Sequence, residues 1–212
     1  MLDDNNQRKM VYQCKPNEAR KTLGVYIAPD GNMDAQIEYM YNKACTFSSK
    51  LKHCRLTGHD ALYAVNTRIM KTLQYPLPTL HLTKSECTKI MYPILSSLLG
   101  KMKIVRTIKR EVLYGPRKYQ GFGLTNLYVY QGCTQLAILL QFSTTTTELG
   151  RIHRITIDSL RLELGTTTFP LNLPYNQCCE CATASWIKHV WKFCWEHKVR
   201  VQIDIPSFEP NR

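Results

Sequence analysis

A mainly α fold, a multi-helix bundle with a short β-hairpin at the N-terminus and a short strand near the C-terminus, is what this 212-residue sequence predicts. Three observations carry that expectation. The apolar period changes from two to about 3.6 after residue 31, turn residues separate the apolar stripes that follow, and alternation returns only after residue 198.

Apolar residues alternate over 9–14 and over 20–27, where Leu23, Val25 and Ile27 share a face, which predicts two short strands. Ala28-Pro29-Asp30-Gly31 closes them, because Pro presets φ for a turn and Gly accepts the left-handed conformation after it. Ile37, Met40, Tyr41, Ala44, Phe47 and Leu51 at helical spacing predict one long amphipathic helix over 33–54, with Lys43, Lys50 and Lys52 on its other face. Thr57 with Asp60 has the form of a capping box ahead of Leu62, Val65, Ile69 and Leu73, a stripe that Tyr75-Pro76-Leu77-Pro78 ends. Thr83 with Glu86 opens a further helix with Cys87, Ile90, Met91, Ile94, Leu95 and Leu98 inside. Pro93 is expected to kink or split it, and Gly100 to stop it.

Tyr114-Gly115-Pro116 and Gly121-Phe122-Gly123-Leu124 mark turns, and Thr125 is placed to cap a helix running to about residue 142. Thr147 is placed to cap the next, which Gly165 terminates. Residues 166–181 hold Pro170, Pro174 and three cysteines and are expected to be irregular. A last helix over 183–197 presents Ile187, Val190, Trp191 and Cys194 on one side. Val199, Val201, Ile203 and Ile205 then alternate as a strand that Pro206 stops.

The net charge of +12 is unevenly spread. Residues 101–118 hold Lys101, Lys103, Arg106, Lys109, Arg110, Arg117 and Lys118 against the single acid Glu111, which is half of the total. From Asn126 onward eight basic residues face seven acids. A concentrated positive field draws polyanions and releases counterions from phosphates, although such a stretch also serves as a solvated basic loop. Tyr114, Tyr119 and Phe122 beside Arg117 and Lys118 offer rings on which bases stack, or else they cover neighbouring helices. The strongest apolar run, residues 136–140, is far short of a membrane span. The acidic, polar opening Met1-Leu2-Asp3-Asp4-Asn5-Asn6 does not read as a secretory signal. Nine scattered cysteines and the lack of an Asn-x-Ser/Thr sequon fit a reducing interior. The expectation is an intracellular protein, nuclear or cytoplasmic, not secreted and with no membrane partner.

Motifs for self-contained catalysis are missing from the sequence. Asp3-Asp4 is the only adjacent acidic pair, and Gly121-Phe122-Gly123 lacks the remainder of a dinucleotide or phosphate loop. One metal-like spacing stands out: Cys178, Cys181, Cys194 and His197, four possible ligands for tetrahedral zinc. Cys194 also fits the buried side of the last helix, and core packing with loop thiols is the preferred reading, so no metal is assigned.

Pro16-Asn17-Glu18-Ala19-Arg20-Lys21-Thr22-Leu23-Gly24-Val25, followed by Ala28-Pro29-Asp30-Gly31-Asn32, resembles the segment after the palm in LINE-like retroelement reverse transcriptases. In that family a Lys-x-Leu-Gly-Val strand belongs to the primer grip. Tyr75-Pro76-Leu77, Ile90-Met91-Tyr92-Pro93-Ile94-Leu95 and Tyr114-Gly115-Pro116-Arg117-Lys118-Tyr119-Gln120-Gly121-Phe122-Gly123-Leu124 are similar to its helical thumb and connection region. Leu162-Glu163-Leu164-Gly165 and Ser185-Trp186-Ile187-Lys188 extend the resemblance, which covers about residues 16–200.

The resemblance implies a thumb-like bundle: residues 1–31 a remnant of palm and primer-grip strands, 32–165 the thumb and connection, and 166–212 a cysteine-containing loop, helix and terminal strand. It places the primer grip on Lys21, Leu23 and Gly24 and duplex clamping on Lys50, Lys52 and Arg55; the 101–118 cations are expected to add backbone contacts on the ground of their charge. The implied partner is an RNA or DNA template–primer duplex. The family's catalytic aspartates lie upstream, in an aromatic-x-Asp-Asp turn. Leu2-Asp3-Asp4 is not that turn, because only 18 positions separate Asp4 from Thr22. Alone, the chain is expected not to polymerise and to use no cofactor, magnesium entering only with a palm. A separate palm and fingers polypeptide would make it one piece of a split polymerase, and the alternative is a helical scaffold or a decayed open reading frame.

Overall fold

The computed structural model describes residues 15–202, so the strand expected over 9–14 and the end of the terminal strand lie outside the described residues. Strands β1 (Arg20–Thr22) and β2 (Val25–Ile27) pair antiparallel with Thr22 opposite Val25, so the stretch expected as one strand is itself a hairpin. Its turn is the reason. Leu23 and Gly24 both have positive φ, 50° and 89°, the two-residue geometry whose twist matches flanking strands. Val25 is buried, while Leu23 is 86% exposed at the tip.

Helix α1 (Asp34–His53) buries Met40, Ala44 and Leu51 against α4 (Lys84–Lys101). Small groups set the crossing: the Ser48 hydroxyl donates to the Pro93 carbonyl (2.8 Å) and lies against the Ser97 hydroxyl. The two helices run parallel, since Lys89 reaches the Tyr41 ring, Ser97 meets Ser48, and Lys101 meets Cys54. The chain returns between them through α2 (Gly58–Ala64), a π turn (Val65–Ile69) and α3 (Met70–Gln74). The wider π turn keeps Leu62, Val65, Ile69, Met70 and Leu73 all buried.

Pro93 does not split α4, and Gly100 does not stop it. Lys89, whose carbonyl loses its usual donor at Pro93, is exposed, so water can satisfy it. Thr83 and Glu86 form the full capping box. At α2, Thr57 accepts from the Asp60 N–H but gives its hydroxyl to the Asp60 carboxylate.

A short α5 (Arg110–Tyr114) precedes α6 (Leu127–Ser143), which Asn126 caps in place of Thr125. Helix α7 (Glu148–Leu164) is capped by Thr147 and ended by left-handed Gly165. Two 3-10 turns and α8 (Tyr175–Cys178) make up most of residues 170–181, and α9 (Trp186–Glu196) follows its Ser185 cap. Residues 199–202 form no strand: the Val201 N–H and carbonyl pair with the Asn172 side-chain amide, 3.0 and 2.8 Å away. No described helix is long and apolar enough to cross a membrane.

Two cores result. The larger joins α1 to α4 with Leu113, Leu124, Leu127, Tyr128 and Phe193; the smaller gathers Leu139, Ile157, Leu160, Leu171, Trp191 and their neighbours. Between them lies a seam in which side chains pair an irregular backbone. The Gln131 amide accepts from the Leu82 N–H (3.1 Å) and donates to the Leu82 carbonyl (3.0 Å), and Gln135 donates to the Leu80 carbonyl. His189 sits 3.0 Å from the Leu82 carbonyl and 3.2 Å from Gln135, and the Trp186 indole donates to Pro78 (2.9 Å).

Candidate nucleic-acid interface

Parallel packing puts the C-terminal ends of α1 and α4 side by side. The Lys101 ammonium donates to the Cys54 carbonyl (2.6 Å), just past the exposed Lys50 and Lys52 and beside Arg55. Gly58, at the start of α2, lies so close to Met102 that a Cβ there would come within 3.0 Å of the Met102 Cα. The 115–123 loop folds back through hydrogen bonds from the Gly123 N–H to Gly115 (2.9 Å) and from the Gly121 N–H to Pro116 (3.1 Å). That return brings Arg117 to Gly58, His59 and Met102.

Cations from three stretches, Lys50/Lys52/Arg55, Lys101/Lys103 and Arg117, thus share one end of the molecule. The side chains of Lys50, Lys52, Arg55, Lys103, Arg106, Lys109, Arg110, Arg117 and Lys118 are exposed and take part in none of the ion pairs among the described residues. No family model, curated protein or solved structure matches this chain.

The remaining cations of residues 101–118 diverge. Arg110 turns to a second cleft of about 400 Å³ between α4, α5 and α6, shared with Lys84, Tyr92 and Tyr114. Lys118 lies 5.7 Å from the ring of Tyr119, a residue that is 73% exposed. Tyr114 is half-buried, and burial pushes its phenol pKa up. Phe122 packs against the larger core. Of the three aromatic residues expected near Arg117 and Lys118, only Tyr119 is largely exposed.

Lys21, Leu23 and Gly24 lie elsewhere, at the N-terminal half of α1, about 20 Å from Cys54 at 1.5 Å per residue. The Lys21 ammonium is 3.5 Å from the Tyr39 hydroxyl, and the Lys43 ammonium is 5.3 Å from the Tyr39 ring. Burial would raise the Tyr39 pKa, but Lys21 and Lys43 outweigh it and hold the phenol below its ordinary value. The Tyr75 hydroxyl donates to the Leu23 carbonyl (2.8 Å), so the hairpin tip is tied to the end of α3. Sequence reasoning does not single out Tyr39 or Tyr75 as site residues. The Tyr39/Lys43 spacing of four is the available signal.

The four residues with zinc-like spacing are not brought together, and no described group of three such side chains is placed to hold a metal. Cys194 is fully buried in the smaller core, and burial pushes its thiol pKa up to about 11. Cys178 packs at that core's edge, Cys181 is exposed, and the His197 ring lies 4.3 Å from that of Phe193.

Proposed function

We propose that the protein holds nucleic-acid backbones without reading base sequence, in the manner of the primer-grip and thumb region of a LINE-like reverse transcriptase. The observation that carries this reading is the gathering of Lys50, Lys52, Arg55, Lys103 and Arg117 at one end with no carboxylate partner among the described residues. Cations left unpaired at one place suit a polyanion. The partner is an RNA or DNA template–primer duplex, the hairpin residues Lys21, Leu23 and Gly24 forming a second contact. Polymerisation and its magnesium would come from a palm and fingers polypeptide, and residence would be intracellular, nuclear or cytoplasmic.

Fluorescence anisotropy with a labelled duplex tests the reading. Affinity in the micromolar range that falls steeply between about 50 and 200 mM salt is expected, and a flat response rejects it. One observation favours a scaffold reading instead: Lys101 is engaged by the Cys54 carbonyl, a purely structural use of its charge.

A further inference from the structure

We infer that the recess beside the basic end takes one unstacked base of a single strand, as in the unpaired template beyond a template–primer duplex, an inference that rests on the nucleic-acid reading and adds a contact to it. The recess, about 410 Å³, lies between the start of α2, Met102 and the 115–123 loop. Leu62, Met102 and Phe122 give it apolar surface, and Arg117 and His59 stand beside them.

Its walls meet through backbone. A Cβ at Gly58 would press on the Met102 Cα at 3.0 Å, and one at Gly121 would overlap the Gly115 carbonyl. The Phe122 N–H is held by the Val112 carbonyl (2.9 Å), and the Arg117 stem lies along Gly123. The nearby Asp60 carboxylate already accepts the Thr57 hydroxyl (2.6 Å). A paired duplex keeps its bases inside and offers only sugar and phosphate to such a surface. A single strand can turn a base onto the apolar floor while its phosphates meet Arg117 and Lys103.

Photocrosslinking of the unaltered protein to a single strand containing 5-iodouracil tests the placement. Attachment at Phe122, Met102 or His59 is expected, and attachment only elsewhere overturns the inference. Phe122→Leu should weaken single-strand binding roughly 5-fold or more and duplex binding by less than about twofold. Equal losses on both, or no loss, also overturn it. Joint reversal of Lys50, Lys52, Arg55 and Lys103 to Glu separates the two levels: unchanged binding sinks the broader reading, whereas loss there with no effect of Phe122→Leu sinks only the recess.

Discussion

The halves of the molecule treat charge differently. Around the smaller core, Arg151 pairs with Glu148 (2.6 Å) and Arg161 with Asp158 (2.9 Å), Arg154 donates to the Ser143 and Thr145 carbonyls, and Lys188 donates to Ala182. Around the larger core, Lys84 pairs with Glu196 (3.1 Å) and Lys101 donates to the Cys54 carbonyl, but Lys50, Lys52, Arg55, Lys103 and Arg117 have no such acceptor among the described residues. Cations tied to carbonyls and carboxylates maintain a fold, and cations left in water remain available to a ligand. Charge density by itself does not make that distinction.

The largest effect expected from this contrast is on binding. Reversing Lys50, Lys52, Arg55 and Lys103 to Glu should lower duplex affinity more than about 100-fold at low salt, while reversing Lys192, Lys198 and Arg200 should change it by less than about threefold. Equal losses, measured by anisotropy, would mean that only total charge matters. Next is the seam. Gln131→Leu leaves the Leu82 N–H without its partner and the Leu82 carbonyl with His189 alone, and should cost about 1–3 kcal/mol in urea unfolding without altering nucleic-acid affinity.

A smaller, pH-dependent effect should come from His189. Burial holds its pKa below the ordinary 6.5, so the unfolded chain binds the proton more readily. Stability is therefore full above about 6.5 and is lost as pH falls toward the folded pKa. Unfolding between pH 7 and 5 should show the loss, and His189→Gln should flatten it. Burial would raise the Glu196 pKa, but hydrogen bonds from Tyr128 and Lys84 hold it below 4.5, so its contribution is lost only at lower pH. The smallest effect has the opposite sign. Leu23→Asn relieves a left-handed leucine and should stabilise the hairpin by about 0.5–1 kcal/mol in thermal unfolding. Weaker nucleic-acid binding in the same variant would assign the exposed leucine a contact.

Local signals carry most of the helices. Thr83 with Glu86, Thr147 and Gly165 mark ends that depend only on nearby backbone, and the stripes of α1 and α4 depend only on spacing. Pro93 misleads because solvent access at Lys89, a tertiary property, removes much of its cost. The 20–27 stretch misleads because alternation does not reveal a turn made by a left-handed leucine. Meeting of Lys50, Lys101 and Arg117 requires parallel packing of helices far apart in sequence, which spacing cannot encode. Gln131 and Gln135, four residues apart in a helix without charged residues, are a readable hint of the seam.

Because α1 and α4 point the same way, their peptide dipoles add at the end where the lysines collect. Each contributes about half an elementary negative charge, roughly one in total. This steadies a crowd of like charges before any ligand arrives. A bound phosphate must then compete with the Cys54 carbonyl for the Lys101 ammonium. The slope of log affinity against log salt should report about one phosphate fewer than a count of basic side chains would suggest.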